Sequence, residues 1–142
     1  MRERRALDLF VKLVHASASV EARTSGPVLA AGLTSSQFGA LETLYFVGPL
    51  PAGQLADKHL KSPNNFTLVI TNLEKRGLVR REKAPNDRRV VLIELTPAGR
   101  EIVEATMPSY VQAIVTDLDV LTPAEQDQLA ALLRKLGRAD LR

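Results

Sequence analysis

The period of the apolar residues changes at Gly77, and this change constrains the fold more than any other feature of the chain. The apolar residues before it recur every three or four positions: Phe66, Val69, Ile70 and Leu73. That spacing predicts a helix with one buried stripe. After the glycine, "LVRREK" and "RRVVLIEL" are typical of two strands, and "APND" between them is a turn-forming cluster. The chain is therefore predicted to pass from a helix into a β-hairpin here.

Two short helices are predicted before this hairpin. The first covers roughly residues 52–59, with Leu55 and Ala56 facing inward. The second has Ser62 as its cap, Pro63 at its first position, and Gly77 placed to end it in a left-handed conformation. Only a few residues join the two helices, which is the arrangement of a helix-turn-helix. The hairpin is too small to be stable alone, so we expect it to pack on this body through Leu78, Val91, Ile93 and Leu95.

The rest of the chain is predicted to be helical. Thr34 with Gln37, and Thr122 with Glu125, form two capping boxes, and Thr96 precedes Pro97 at the start of a third helix. We expect a kink in that helix at Pro108. A helix is also predicted at the amino terminus, where apolar residues from Leu7 to Val20 recur at helical spacing, and it is expected to stop or kink at Gly26 and Pro27. The amino-terminal helix and the last two helices carry more apolar surface than so small a winged domain can bury. Self-association is the simplest way to cover it.

Composition agrees with a single helix-rich domain. The chain has 142 residues, of which 45% are hydrophobic and 4% aromatic. It has no cysteine, which excludes disulfides and thiolate metal sites. Its two histidines are far apart, so a zinc site is not expected. We expect no cofactor. The charged, periodic amino terminus is unlike a secretory signal and no apolar run approaches ~20 residues, so we expect a cytoplasmic protein without a membrane span.

Positive charge is concentrated around the predicted hairpin. Residues 75–89 contain seven basic and two acidic side chains, a net charge of +5, whereas residues 97–142 have five basic and seven acidic ones, a net charge of −2. A basic patch on a nearly neutral body is typical of nucleic-acid binding proteins. A solvated charged hairpin would give the same pattern, so charge alone leaves both interpretations open.

In order and spacing, the chain resembles the MarR family of bacterial transcriptional regulators over nearly its whole length. The resemblance rests on "LTSSQFGALETL", "GQLADKHLKSPNNFTLVITNLEKRGLVRR", "PNDRRVVLIELTPAG" and "LTPAEQDQLAALLRKL". Its most specific part is a wing signature, which comprises Asp87, Arg89, Leu95, Thr96 and Gly99. The predicted fold is mainly α with a small β wing, a winged helix-turn-helix with dimerisation helices at both ends. We assign residues 1–32 and 97–142 to dimerisation and residues 33–96 to DNA binding.

The resemblance implies a homodimer, a repressor that binds a pseudo-palindromic double-stranded DNA operator. One recognition helix of each subunit would enter a major groove, and each wing would lie along a minor groove. The DNA-binding candidates are Ser62, Asn64, Asn65, Thr67, Thr71, Lys75, Asp87, Arg88 and Arg89. Asparagine pairs bidentately with adenine and threonine meets a base edge or a thymine methyl, whereas Ser62 and Lys75 are expected nearer to phosphate. Helix capping is the alternative role for the two asparagines.

Two positions depart from the family pattern. Leu68 and Asn72 stand in the middle of the recognition helix, where the family often has a basic residue. Fewer phosphate contacts are then expected from this helix, and electrostatic affinity shifts towards the wing. Leu68 could contact a thymine methyl or pack within the protein. We favour packing.

The resemblance further implies a cleft for a small aromatic or phenolic effector. Its candidate lining residues are His15, Arg23, Tyr45, Met107 and Tyr110, although a tyrosine or methionine at helical spacing is more often part of a core. An enzyme is not expected, because Glu101 and Glu104 look like a solvated helix face and no nucleophile motif or phosphate loop is present. The remaining alternative is a winged-helix module that binds another protein and not DNA.

Overall fold

The structure, a computed structural model, describes residues 1–58 and 63–137, and for residues 63–65 the course of the main chain alone. Its elements in chain order are α1 (Arg2–Thr24), α2 (Gly26–Ala30), α3 (Ser35–Val47), β1 (Leu50–Pro51), α4 (Ala52–Lys58), α5 (Pro63–Lys75), β2 (Val79–Ala84), β3 (Asp87–Leu95), α6 (Pro97–Leu118) and α7 (Pro123–Gly137). This is the predicted mainly helical fold with a small β wing. No helix of the described residues is long and apolar enough to span a bilayer.

The chain folds into two compact units. The winged unit comprises residues 25–110, and the helical unit comprises residues 1–24 together with the chain from Val111 onward. The winged unit is larger than the predicted DNA-binding segment of residues 33–96. The unit extends beyond the predicted segment at both ends, because Val28 of α2 and Val103 of α6 are buried in its core. The dimerisation role assigned to the flanking segments remains a prediction.

The core of the winged unit is formed by aliphatic side chains and two phenylalanines. Its largest fully buried members include Leu33, Leu41, Leu55, Phe66, Ile70, Leu73 and Ile93. The buried stripe predicted for α5 is confirmed, with Val69 half-buried beside the fully buried positions. The inward positions predicted for α4, Leu55 and Ala56, are buried as well.

The sheet has three antiparallel strands in the order β1-β3-β2, one strand more than predicted. The additional strand, β1, is two residues long and pairs Leu50 with Ile93 and Pro51 with Leu92. So short a segment contains no hydrophobic period by which the sequence could have indicated it. Pro51 suits this position because an edge strand has no further neighbour to which a backbone N–H must donate.

The hairpin of β2 and β3, which we call the wing, is anchored at its base. Leu78 and Ile93 are buried and Leu95 is half-buried, as predicted. The prediction for Val91 is wrong, because this side chain is 41% exposed. Val91 pairs with Lys83 near the tip of the wing, where the hairpin has passed beyond the core.

The local signals for helix ends are confirmed. Thr34 and Gln37 form a reciprocal capping box at the start of α3, and Thr122 and Glu125 form another at the start of α7. The amide of Gly99 donates to the Thr96 hydroxyl at 3.1 Å, so Thr96 caps α6 as expected. The first helix stops at Thr24, and the Gly26 and Pro27 pair begins a separate short helix, α2, which was not predicted. The helical residues of α6 continue without interruption through Pro108.

One junction holds the end of α5, the base of the wing and the start of α6 together. Gly77 adopts a φ of 72°, and the amides of Gly77 and Leu78 donate back to the carbonyls of Glu74 and Leu73, which is a Schellman motif. The Thr96 amide donates to the Leu78 carbonyl at 3.1 Å, and the Thr96 hydroxyl donates to the Gly77 carbonyl at 2.6 Å. The backbones therefore lie in direct contact.

Gly99 is the residue that allows this contact. A Cβ at this position would overlap the carbonyl oxygen of Leu78 and lie 3.0 Å from its carbonyl carbon. Neither atom is at the end of a flexible side chain, so the backbone itself would have to move.

We expect Gly99→Ala to lower the free energy of unfolding by about 3 kcal/mol, because the added methyl overpacks a backbone contact. Urea unfolding followed by circular dichroism measures the change. Gly53→Ala is the matched control, since a Cβ there meets no atom within 4 Å, and it should be neutral or slightly stabilising. Equal stability of the two variants would show that the backbones of residues 78 and 99 can move apart without loss of stability.

The helical unit has an ion pair and an amide bridge between its elements. The guanidinium of Arg23, near the end of α1, pairs with Asp117 of α6, whose side chain is largely buried. The side-chain amide of Gln126 on α7 donates to the carbonyls of Leu118 and Leu121. Large apolar side chains nevertheless remain exposed on α1 and α7: Leu7, Leu9, Phe10, Val11, Leu13, Val14, Leu129, Leu132, Leu133 and Leu136.

Candidate nucleic-acid interface

The outer face of α5 is fixed by the residues that the helix buries. Because Phe66, Ile70 and Leu73 are in the core, the side chains between them point away from it. Thr67, Leu68 and Lys75 are exposed, and Thr71 and Asn72 are half-exposed. Of the predicted recognition residues, Ser62 and the side chains of Asn64 and Asn65 lie outside the described part of the chain. We use the term recognition face for residues 67, 68, 71, 72 and 75.

The interpretation of Leu68 as a packing residue is wrong within the chain. This side chain is 64% exposed, whereas its neighbours Phe66 and Ile70 are almost entirely buried. Helical geometry explains the difference, because Leu68 lies on the side of α5 opposite the core stripe. No charged residue occurs between Pro63 and Leu73, so the greater part of this face is neutral.

Arg76 and Arg81 hold α5 in place, and neither was predicted from the sequence as a site residue. The guanidinium of Arg76 donates to the Gly32 carbonyl at 2.8 Å, and that of Arg81 on β2 donates to the Glu74 carboxylate at 3.3 Å. The first bond fixes the end of the helix to the segment between α2 and α3, and the second fixes it to the wing. Partners 44 residues apart leave no local signal in a sequence, which is why Arg76 was missed.

The wing presents an arginine that is bound by an aspartate two residues earlier. The Nε of Arg89 lies 3.2 Å from an oxygen of Asp87, and the Arg89 amide donates to the same oxygen at 3.0 Å. The Arg89 side chain is 92% exposed nonetheless. Asp87 therefore restricts the orientation of the guanidinium and leaves its outer edge open. Arg88 is exposed beside it.

These contacts lower the pKa of the Asp87 carboxyl below that of an ordinary aspartate. The main cause is the hydrogen bond from the Arg89 backbone amide, followed by the hydrogen bond from its guanidinium. Both bonds favour the charged form. The Asp87 carboxyl is therefore ionised at neutral pH, as the ion pair with Arg89 requires.

A second arginine of the wing is more strongly neutralised. Arg80 pairs with Glu94 directly across the two strands, and Glu82 lies 3.8 Å from the same guanidinium nitrogen. The Arg80 side chain is 59% exposed, less than that of Arg89. The positive potential of the wing is thus carried most directly by its tip.

Similarity to known proteins agrees with this geometry. The profile of the MarR family matches residues 33–91. The uncharacterised HTH-type transcriptional regulator YkoM of Bacillus subtilis is 35% identical over 133 residues, which cover 94% of this chain and 86% of YkoM. The chain belongs to the MarR family. The predicted class, a helix-turn-helix transcriptional regulator and not an enzyme, is thereby confirmed.

Two solved structures of regulators resemble the fold of this MarR family chain. Sco3205, a MarR family transcriptional regulator from Streptomyces coelicolor solved in complex with DNA, has a TM-score of 0.84 and 27% identity, and the match covers 92% of this chain and 88% of Sco3205. BpsR of Bordetella bronchiseptica, whose DNA binding is regulated by 6-hydroxynicotinic acid, has a TM-score of 0.80 and 30% identity, with coverage of 88% and 89%.

The residues predicted to line an effector site in this MarR family chain belong to two different units. Tyr45, Met107 and Tyr110 belong to the winged unit, are half-buried, and pack against its core. The Tyr45 hydroxyl donates to Glu104 at 3.3 Å, and Tyr110 contacts the ring of Phe38 edge to face. His15 and Arg23 belong to the helical unit, where His15 is exposed and Arg23 pairs with Asp117. The candidate role of these residues in effector binding stays a prediction.

We expect the carboxyl carbon of Asp87, followed by NMR, to titrate below the pKa of an ordinary aspartate. The ion pair between Asp87 and Arg89 is present above the pKa of an ordinary aspartate, and it is lost as the pH falls through the lowered pKa of Asp87. Arg89→Ala should raise the pKa only part of the way, because the backbone amide remains. An unchanged pKa in Arg89→Ala would show that the guanidinium does not contact Asp87 in solution.

Proposed function

We propose that the protein binds a pseudo-palindromic DNA operator as a homodimer in the cytoplasm and represses transcription. The observation that carries the proposal is that the largely uncharged outer face of α5 and the exposed basic wing are both held on one core. The junction and the Arg76 and Arg81 hydrogen bonds join both to one core. Such a unit offers two different chemistries to adjacent grooves of one duplex.

The recognition face suits the major groove. An α-helix fits this groove, and threonine hydroxyls and methyls can meet base edges there. Thr67 and Thr71 are one turn apart on α5 and face outward, and Lys75 follows one turn later, where it would contact phosphate. Asn64 and Asn65 precede them on the same helix and have the chemistry to pair with adenine. Base contacts from this face would specify the operator.

The tip of the wing suits the minor groove. The groove is about 6 Å wide and its negative potential attracts arginine side chains. Arg89 is almost fully exposed and is held in position by Asp87, so it loses little conformational freedom on insertion. Arg88 would contact the neighbouring phosphates. The wing would then supply sequence-independent affinity that depends on salt.

A homodimer would cover the apolar face of the helical unit. The exposed leucines of α7 recur at helical spacing, at positions 129, 132, 133 and 136, and α1 carries a second row. Burying such a stripe between two copies removes apolar surface from water. Two-fold symmetry would place equal recognition faces on half-sites roughly one helical turn apart, ~10 bp.

We further propose that a small aromatic acid regulates DNA binding. Support comes from BpsR, since 6-hydroxynicotinic acid regulates the DNA binding of that relative. His15, Arg23, Tyr45, Met107 and Tyr110 remain the candidates for contacting such a compound. Among them, the Arg23 guanidinium could pair with the carboxylate of an aromatic acid, and the rings of Tyr45 and Tyr110 could pack against its ring.

Arg89→Ala should weaken binding to every duplex and make the salt dependence of log K shallower by about one unit, because one cation that displaces counterions from the DNA, at a phosphate or in the minor groove, is lost. Fluorescence anisotropy on labelled duplexes from 50 to 300 mM salt, roughly the range in which such slopes are measured, tests this. Arg80→Ala is the matched control. It removes the same charge from the same hairpin, but from a guanidinium already paired with Glu94, so its slope should change less.

The opposite result is equally informative. Equal slopes for the wild type and Arg89→Ala would mean that the wing does not touch DNA. Absence of binding to any duplex at low salt would instead favour a module that binds protein.

Leu132→Asp should shift the protein from dimer to monomer, because it places a charge in the apolar stripe of α7. Sedimentation equilibrium measures the shift. Val120→Asp, in the exposed turn between α6 and α7, adds the same charge outside the stripe and should leave the dimer intact. A Leu132→Asp protein that remains dimeric would place the interface elsewhere.

A further inference from the structure

Among the residues whose side chains the structure describes on the outer face of α5, Leu68 is the apolar one. It is 64% exposed, and the residues one turn away on either side of it are Asn64, Asn65, Thr71 and Asn72. All four are uncharged and polar. Leu68 is not part of the core, because Phe66, Ile70 and Leu73 occupy the buried side of α5.

The surroundings of Leu68 determine which partner can bury it. Protein surfaces that bind a second protein through a helix present apolar residues at successive turns, as i, i+3, i+4 and i+7. The recognition face has a single apolar position with polar residues at those offsets, and Lys75 at i+7. A partner that fits must therefore be polar over most of its surface, with one small apolar group.

The major-groove edge of duplex DNA has this composition. Hydrogen-bond donors and acceptors line it, and the C5-methyl of thymine is its one apolar group. The nearby charges agree, because Lys75 and the wing are basic and Glu74, the acidic residue at the end of α5, is engaged by Arg81. A nucleic acid is thus favoured over an acidic or an apolar protein surface.

We propose that Leu68 contacts the C5-methyl of a thymine and thereby specifies that base at one position of each half-site. This inference rests on the proposed function, since it requires that α5 enters the major groove. The flanking threonines would hydrogen-bond to neighbouring bases while the leucine excludes water from the methyl. Because cytosine lacks the methyl, the contact distinguishes thymine by shape as well as by hydrogen bonding.

The expected size of the effect follows from the area of one methyl. Removing it from a buried contact costs about fourfold in affinity for each half-site, and about 15-fold for two independent half-sites. Leu68→Ala removes the partner of the methyl and should cost a similar factor. The two changes should not add, because each abolishes the same contact.

The test uses duplexes that the wild-type dimer enriches from a random pool. In one enriched duplex, each thymine is replaced in turn by deoxyuridine, which lacks only the methyl, and the Kd is measured by fluorescence anisotropy. We expect one sensitive position in each half-site with the wild-type protein. Leu68→Ala should bind the thymine and deoxyuridine duplexes equally well at that position.

Leu29→Ala is the matched control, because Leu29 on α2 is 61% exposed and lies outside the recognition face. It should retain the wild-type sensitivity to deoxyuridine. An equal loss with deoxyuridine in wild type and Leu68→Ala would overturn the inference, as would an enriched duplex without any sensitive thymine. Failure to enrich any duplex would instead contradict the proposed function itself. Equal thermal midpoints of the variants establish that neither substitution disturbs folding.

Discussion

The contact between Gly99 and the Leu78 carbonyl is the constraint on which the winged unit depends. This carbonyl accepts from the Thr96 amide and lies where a Cβ of residue 99 would otherwise be. Leu78 lies between the end of α5 at Lys75 and the start of β2 at Val79, whereas Thr96 lies between β3 and α6 and Gly99 lies in the first turn of α6. A single backbone approach therefore joins the end of α5, the base of both wing strands and the first turn of α6.

Fixing these elements at one point determines what the unit can present. The Schellman motif at Gly77 and the hydrogen bonds of Arg76 and Arg81 hold the end of α5, so its outer face is set relative to the core. The wing is anchored at Ile93 and projects beyond the core from Val91 outward. The anchored base and the exposed tip belong to the same strand, because Ile93 is the buried residue of β3 and the positions from Val91 towards the turn are exposed or half-buried.

Most features that were predicted correctly from the sequence depend on neighbouring residues. Thr34 and Gln37, Thr122 and Glu125, and Gly77 mark helix ends through bonds that span only a few positions, and the α5 stripe follows from its period. The exceptions depend on distant partners. Strand β1 exists because Leu50 meets Ile93, and Arg76 matters because Gly32 lies beside it. The exposure of Val91 depends on where the core ends, which is not a local property. The exposure of Leu68, in contrast, follows from the helical period, because this residue lies opposite the buried stripe.

The distribution of charge separates two tasks within the winged unit. The stretch from Pro63 to Leu73 has no ionisable side chain, so apart from Lys75 the recognition face would gain little from long-range attraction and would depend on contacts at hydrogen-bond or van der Waals distance. Residues 75–89 carry a net charge of +5, and ion pairs with Asp87, Glu74 and Glu94 hold three of the arginines in defined orientations. In the proposed complex, attraction by the wing would be reduced by salt and would not depend on base sequence, whereas base contacts from α5 would discriminate between bases at any ionic strength. Affinity and specificity would then be carried by different residues that one backbone junction keeps in register.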